Sequence, residues 1–169
     1  MSRKYCTGSG IVIYLDNRDK YFSDLQEDIL YLFLECNGEI NPRYQDKLDF
    51  PKGTIDKGEY SLDCAIRETE EEINIFKDHY NIVGNLPKFF TGTGFVVTPF
   101  LGIIKSNSNW RKFLKPNLSE VEQIFFPPTE CLLSPEYHLR QKPPTNSSML
   151  MTWAINYNNK NIWGLTARV

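Results

Sequence analysis

Four glutamates and one arginine are concentrated in one short part of the chain. Glu59 is followed by Arg67 and Glu68 and then by Glu71 and Glu72. On a helix, Glu68, Glu71 and Glu72 are related as i, i+3 and i+4, so their carboxylates emerge side by side. Clustered hard oxygen ligands suit Mg²⁺ or Mn²⁺, which also accept phosphate oxygens as ligands. The alternative is a solvated acidic helix face, the common fate of a glutamate run.

A helix is predicted to position these glutamates. Apolar or small residues recur at spacings of three and four, which is typical of one buried helical face. They are Leu62, Ala65, Ile66, Thr69 and Ile73. Ser61 is predicted as the N-cap, and Asp63 lies in the first turn, where a negative charge complements the helix dipole. The glutamates therefore occupy an arc away from the buried stripe.

Residues 53–75 resemble the signature of the Nudix hydrolases, G-x5-E-x7-R-E-U-x-E-E-x-G-U, in which U is a bulky apolar residue. The matching positions are Gly53, Glu59, Arg67, Glu68, Glu71, Glu72 and Ile75. Thr69 stands at the first U and Asn74 at the last glycine. Asn is the next best residue to Gly for a left-handed helix C-cap, so the geometry is expected to survive.

The resemblance implies a reaction and a set of roles. Glu68, Glu71 and Glu72 would bind Mg²⁺ or Mn²⁺, together with the carbonyl of Gly53. Arg67 would orient Glu59 and the other glutamates through charge-assisted hydrogen bonds. The metal would polarise a phosphoryl group and lower the pKa of the attacking water, so that a diphosphate linkage is cleaved.

The rest of the chain predicts an α+β fold in one domain, residues 1–169. Strands are predicted at residues 10–15, 29–36, 80–87, 88–90, 95–104 and 122–126, followed by a hairpin of residues 149–157 and 161–165. Pro99 indicates a sheet edge or a bulge. Loops are predicted at residues 16–28 and 142–148. Strands on both sides of one long helix favour a mixed sheet, and the resemblance implies an α/β/α sandwich around it.

Composition narrows the class of protein. The chain has 169 residues, 41% of them hydrophobic, and a net charge of −2, so no overall basic field indicates nucleic-acid binding. Its 4 cysteines form no CxxC pair and are expected to be reduced. Without a signal peptide or a long apolar run, we expect a protein of the cytoplasm or nucleus that does not bind membranes. The oligomeric state stays open.

Two resemblances predict different substrates. The segment from Phe50 to Glu59 is similar to the FPKG region of mRNA-decapping and diadenosine-polyphosphate Nudix enzymes, which favours capped RNA or a dinucleoside polyphosphate. Lys52 and Lys57 would then approach the phosphates. Phe50 would stack on a base, as would Tyr44, Phe90 or Phe95. Each of these aromatics has core packing as its alternative role.

Downstream segments instead resemble coenzyme A pyrophosphatases. These are residues 97–104, 116–122 and 162–167, although the upstream motif of that branch is missing from residues 41–49. Trp163 is expected to be a core residue.

Glu120 is the candidate general base or additional metal ligand. A basic cluster is expected to be a loop surface or an RNA track; it comprises Lys105, Arg111, Lys112 and Lys115, with Trp110 and Phe113 between them. A non-catalytic binding module and a hydrolase of oxidised nucleotides are further alternatives.

Overall fold

The computed structural model describes residues 6–18, 29–143 and 149–169. Its helices are α1 (Ser61–Ile73), α2 (Trp110–Phe113) and α3 (Thr129–Leu133). Its strands are β1 (Cys6–Asp16), β2 (Ile29–Cys36), β3 (Lys47–Asp49), β4 (Lys52–Thr54), β5 (Tyr80–Asn85), β6 (Phe89–Phe90), β7 (Phe95–Ile104), β8 (Val121–Phe125), β9 (His138–Gln141), β10 (Thr152–Tyr157) and β11 (Lys160–Trp163). Within these ranges no helix is long and apolar enough to cross a membrane. Two loops were predicted, at residues 16–28 and 142–148. Most of each, residues 19–28 and 144–148, lies outside the described residues.

The strands form a mixed sheet with the order β5-β7-β1-β2-β3-β11-β10-β9. Strands β1 and β7 are parallel, as are β3 and β11, whereas the other pairs are antiparallel. The α+β prediction with a mixed sheet is therefore confirmed, with α1 as the one long helix among the described residues. The single domain over residues 1–169 stays a prediction.

Strand β7 has its predicted bounds but not its predicted place at an edge of the sheet. Because β7 pairs with β1 on one side and with β5 on the other, Pro99 lies inside the sheet and the edge prediction is wrong. The Pro99 carbonyl accepts a hydrogen bond from the Leu86 N–H at 2.8 Å, so the residue keeps one ladder contact. The irregularity that accommodates this region lies in β5, between Ile82 and Gly84.

Helix α1 differs from the prediction at its N-terminal cap and agrees with it at its C-terminal cap. Tyr60 is the N-cap and makes no side-chain capping bond, so Ser61 is the first helical residue and its predicted capping role is wrong. At the other end Asn74 adopts φ 57°, and its N–H donates to the Glu70 carbonyl at 3.0 Å. The left-handed C-cap predicted for Asn74 is thus confirmed.

The core fixes α1 against the sheet. Ala65 and Ile73 of the helix are fully buried against apolar residues of β1 and β2, and Ile66 packs against them partly buried. A second apolar cluster comprises Phe33, Leu48, Ile155 and Ile162. Burying such side chains contributes roughly 1.5–3 kcal/mol each, so one face of α1 is held firmly against the sheet. The predicted separation of the glutamates from the buried stripe is incomplete, because Glu72 is itself buried beside it.

Strand β4 brings the start of the Nudix-like segment into the sheet. Gly53 lies opposite Ser9 of β1 in the antiparallel β1–β4 pair. Gly10 permits this approach, since a Cβ there would come closer than 3.0 Å to Pro51, Lys52 and Phe50. The loop that leads into α1 is therefore anchored to the central strand, and Gly53 has a fixed position relative to the helix.

Candidate active site

Arg67 is the centre of the acidic cluster on α1. Its Nε and Nη2 donate to the two carboxylate oxygens of Glu59 at 2.9 and 3.0 Å. Its Nη1 donates to Glu68 at 2.7 Å and to Glu71 at 3.0 Å. Nη2 also donates to the Thr54 carbonyl at 3.1 Å, which ties α1 to the end of β4. One guanidinium therefore joins three carboxylates and a strand.

Glu59 is the partner that fixes Arg67. Beyond the two bonds from the guanidinium, Glu59 Oε2 accepts the backbone N–H of Asp56 at 2.9 Å. The hydrogen bond from Arg67 is the main cause that lowers the pKa of Glu59 to about 2. Glu59 is thus ionised across the physiological range, and its paired oxygens hold the guanidinium in one plane.

The remaining carboxylates differ in exposure. Glu72 is 9% exposed, and its Oε2 accepts the Lys52 backbone N–H at 3.0 Å. Burial raises the pKa of Glu72 to about 8, against the attraction of Lys52. Burial also raises the pKa of Glu68, and the charges of Glu71 and Glu120 add to this effect. Poorly solvated carboxylates that repel each other are stabilised by a nearby cation.

Gly53 lies against these carboxylates and leaves no room for a side chain. A Cβ at Gly53 would come closer than 3.0 Å to the carboxyl group of Glu68. The Gly53 carbonyl accepts a hydrogen bond from the Cys64 thiol at 3.8 Å, so its position relative to α1 is set by the helix. The glycine of the motif is therefore explained by the close approach of Glu68.

The donor set matches the chemistry of a hard divalent cation. It offers carboxylate oxygens and one backbone carbonyl beside a glycine that leaves space, and these are the ligands that Mg²⁺ and Mn²⁺ prefer. Within residues 6–18, 29–143 and 149–169, no three His, Cys, Asp or Glu side chains are already gathered to hold an ion. Arg67 engages Glu68 and Glu71 instead, and Glu72 engages the Lys52 amide. The assignment of Glu68, Glu71, Glu72 and Gly53 as metal ligands remains a prediction.

Glu120 lies on the same side of the molecule as the cluster. It is exposed in the turn before β8, and its charge contributes to the raised pKa of Glu68. Its carbonyl accepts the Asn37 N–H at 2.9 Å, which anchors the turn to the end of β2. The structure therefore brings Glu120 near the glutamates of α1, and its role as a general base stays a prediction.

A cavity of about 290 Å³ adjoins the acidic cluster through Lys52 and Gly53. Its wall combines basic, aromatic and small residues from several strands and the segments between them. The lining residues that matter for binding are Tyr44, Lys47, Lys52, Gly53, Phe95, Trp163, Gly164, Leu165 and Arg168. The cavity thus adjoins the acidic cluster, because Lys52 and Gly53 of its wall contact Glu72 and Glu68.

Asp49 organises the basic side of this cavity and was not predicted from the sequence. Its buried carboxylate accepts hydrogen bonds from the Lys47 ammonium, from the Lys52 ammonium at 2.5 Å and from the Thr166 hydroxyl. Burial alone would raise the pKa of Asp49, but the charges of Lys47 and Lys52 hold it well below its ordinary value. The alternation of Lys47 and Asp49 on one face of β3 was the available signal.

The predicted substrate contacts have mixed outcomes. Lys52 lines the cavity, as do Tyr44 and Phe95. Phe50 is 2% exposed and lies outside that lining, so its predicted stacking role is wrong: its ring fills the space beside Gly10. Lys57 is exposed on the loop before α1, away from the cavity wall.

Two further aromatic residues differ from their expected positions. Phe90 is 61% exposed and does not belong to the lining of this cavity. Trp163, expected in the core, is mostly buried yet contributes to the cavity wall, because β11 ends there and its ring turns toward Tyr44. The segment that resembled coenzyme A pyrophosphatases and the FPKG segment therefore line the same cavity.

Several residues of the basic cluster around α2 make contacts within the fold. Trp110 is 1% exposed and packs into the core, so it is not available to stack on a base. The Lys105 ammonium donates to the Asp78 carbonyl at 2.9 Å. Phe113 makes ring contacts with Phe76 and His79, with centroids 6.1 and 4.9 Å away. Trp110 thus serves packing, whereas Phe113 packs on Phe76 and His79 and stays 41% exposed.

Comparisons with known proteins identify the family. A NUDIX domain match covers residues 31–146. The uncharacterized Nudix hydrolase NudL of Salmonella paratyphi B and that of Salmonella newport are each 32% identical to this chain over 129 residues. The alignment covers 75% of this chain and 65% of each relative, so the chain spans about 65% of the length of these relatives. The chain belongs to the Nudix hydrolase family.

Solved structures support the same fold. A binary complex of the C. elegans Ap4A hydrolase matches with a TM-score of 0.54 at 24% identity, covering 70% of this chain and 77% of that one. A MutT/nudix family protein from Enterococcus faecalis matches with a TM-score of 0.55 at 13% identity, covering 96% of this chain and 52% of its own. At these identities the likeness concerns the fold.

Proposed function

We propose that this protein is a metal-dependent pyrophosphohydrolase that cleaves a diphosphate linkage in a nucleoside-diphosphate-X substrate. One observation carries the proposal. The carboxylates of Glu59, Glu68 and Glu71 bind Arg67, and that of Glu72 binds the backbone of Lys52, a residue of the cavity wall. Acidic groups that bind a divalent cation thus adjoin a basic wall that suits phosphate.

Each residue has a distinct task in this proposal. Glu68, Glu71, Glu72 and the Gly53 carbonyl hold Mg²⁺ or Mn²⁺, which would polarise the phosphoryl group and lower the pKa of water when bound. Arg67 keeps the glutamates on one side of the helix through its bonds to Glu68 and Glu71.

The task of Lys52 follows from its two different contacts. Its ammonium is held by Asp49 at 2.5 Å, while its backbone N–H is held by Glu72 at 3.0 Å. The ammonium therefore stands in the cavity wall at a fixed distance from a proposed metal ligand. Burial alone would lower the pKa of Lys52, but the charge of Asp49 raises it above its ordinary value, so the group stays cationic beside a phosphate.

For the substrate, we propose a dinucleoside polyphosphate or capped RNA. The support is the position of Lys52 in the cavity wall together with aromatic rings that can stack on a base. A coenzyme A derivative is the second candidate, because Trp163, Gly164 and Leu165 of the other resemblance line the same cavity. The complete set of glutamates favours an enzyme over a non-catalytic binding module.

The proposal is tested with purified protein, Mg²⁺ or Mn²⁺ and four substrates: diadenosine polyphosphate, capped RNA, coenzyme A and 8-oxo-dGTP. Mass spectrometry identifies the products, and ¹⁸O-labelled water shows which phosphorus is attacked. We expect two phosphorylated fragments from one of the first two substrates and none in the presence of a chelator. Release of 3′,5′-ADP from coenzyme A would instead identify coenzyme A derivatives, the second candidate, as substrates. The absence of a metal-dependent product from every substrate would refute the proposed hydrolase activity.

A further inference from the structure

Tyr44 and Trp163 form a pair of facing rings in the wall of the cavity. Their centroids are 6.2 Å apart with an interplanar angle of 26°, and both residues line the cavity. Tyr44 lies in a short 3₁₀ turn, Pro42–Tyr44, whose first residue is exposed. A base bound at this wall would stack on the aromatic pair.

A lysine stands beside this pair of rings. The Lys47 ammonium is 5.1 Å from the Tyr44 centroid and 4.8 Å from the Trp163 centroid. The ammonium therefore lies over both rings of the pair. Asp49 accepts a hydrogen bond from the same ammonium, so Lys47 is held in place.

The two neighbouring lysines and Asp49 leave a net positive charge at this wall. Asp49 is shared by Lys47 and Lys52, and Arg168 adds a further cation to the lining. The aromatic pair is therefore joined through Asp49 to Lys52, which adjoins the acidic cluster. A nucleotide with its base at the rings would direct its phosphates toward Lys52.

We propose that Tyr44, Trp163 and Lys47 form a subsite for an uncharged nucleobase, and that this subsite discriminates against the cationic ring of 7-methylguanine. The inference rests on the proposed function. It distinguishes the two substrate classes proposed there, dinucleoside polyphosphates and capped RNA. A neutral purine presents ring nitrogens or a carbonyl that can accept a hydrogen bond from the Lys47 ammonium. A methylated guanine places a positive charge within about 5 Å of that ammonium, where the two cations repel. The site thus favours a dinucleoside polyphosphate over a methylated cap.

Calorimetric binding without metal tests the subsite independently of catalysis. The probes are AMP, GMP and 7-methyl-GMP at slightly acidic pH, where the methylated ring is cationic. For the unchanged protein we expect 7-methyl-GMP to bind at least about fivefold more weakly than GMP. This comparison needs no substitution, so it does not depend on the folding of a variant. Equal or tighter binding of 7-methyl-GMP would overturn the proposal.

Variants test the rings themselves. Tyr44→Leu is expected to weaken AMP and GMP binding by about 5- to 100-fold, the range that stacking on an aromatic ring implies. Trp153→Leu is the matched control, because Trp153 is 47% exposed and packs under Arg140 outside this cavity. Unchanged binding in Tyr44→Leu would overturn the subsite. Loss of hydrolysis with intact nucleotide binding would instead refute the proposed function and leave the subsite standing.

Discussion

The substitution Gly53→Ala is expected to displace a carboxylate of the acidic cluster while changing the stability of the fold only slightly. A Cβ at this position would come closer than 3.0 Å to the Glu68 carboxyl group, and the nearest neighbours of that Cβ all belong to this side chain. Glu68 must therefore rotate away, which breaks its 2.7 Å hydrogen bond from Arg67. Such a charged bond is worth about 1.5–3 kcal/mol. The far end of a flexible side chain can yield without moving the sheet, so we expect a loss of only about 1–2 kcal/mol in the free energy of unfolding.

Activity should suffer far more than stability in this variant. Displacing a group that holds or orients a metal commonly costs 10- to 100-fold, so we expect kcat to fall by about 100-fold. Urea unfolding and metal-dependent hydrolysis are measured on the same samples. Gly84→Ala is the matched control, because a Cβ at Gly84 meets nothing within 4 Å. Near-normal kcat in Gly53→Ala would refute the argument that this close approach sets the position of Glu68.

Three other substitutions test the supporting contacts. Asp49→Asn should lower the free energy of unfolding by about 3–5 kcal/mol, because Lys47 and Lys52 lose their shared buried counter-charge; a change below about 1 kcal/mol in urea titrations would contradict this. The pKa of Glu59 is lowered to about 2, so its stabilising contribution is present above its ordinary pKa of 4.5 and is lost as the pH falls toward 2. The difference in urea midpoint between wild type and Glu59→Gln should accordingly be large near neutral pH and vanish in strong acid, whereas a constant difference would exclude the ion pair with Arg67 as its source. Asn159→Gly should raise the melting temperature by about 2 °C, since φ is 62° in this hairpin turn and glycine favours that conformation; a lower melting temperature would contradict it.

Local patterns predicted the elements of the active site well. The spacing of apolar residues located α1, and the hydrophobic run of residues 95–104 gave β7 with the same bounds as the structure. The predicted hairpin of residues 149–157 and 161–165 corresponds to β10 and β11, and Asn158 and Asn159 of the turn between them have positive φ. These features depend on neighbours in sequence, so periodicity and turn chemistry were sufficient.

Contacts between distant segments were beyond these patterns. Asp49 meets Thr166, 117 positions away, and Tyr44 meets Trp163 only because β11 pairs with β3. Phe50, the first residue of the FPKG segment, was predicted to stack on a base, with core packing as its alternative. Its burial depends on the approach of that segment to Gly10. The cavity is therefore assembled by topology, and the sequence revealed only the half that lies next to the helix.

The most direct test of the central claim compares wild type with Glu72→Gln in the hydrolysis of diadenosine polyphosphate with and without Mg²⁺ or Mn²⁺. Glutamine can still accept the Lys52 N–H that Glu72 accepts at 3.0 Å, so the fold is expected to remain intact by thermal unfolding. We predict that wild-type turnover requires the divalent ion and that the substitution lowers it by orders of magnitude. Wild-type turnover in Glu72→Gln, or full activity in a chelator, would contradict the account.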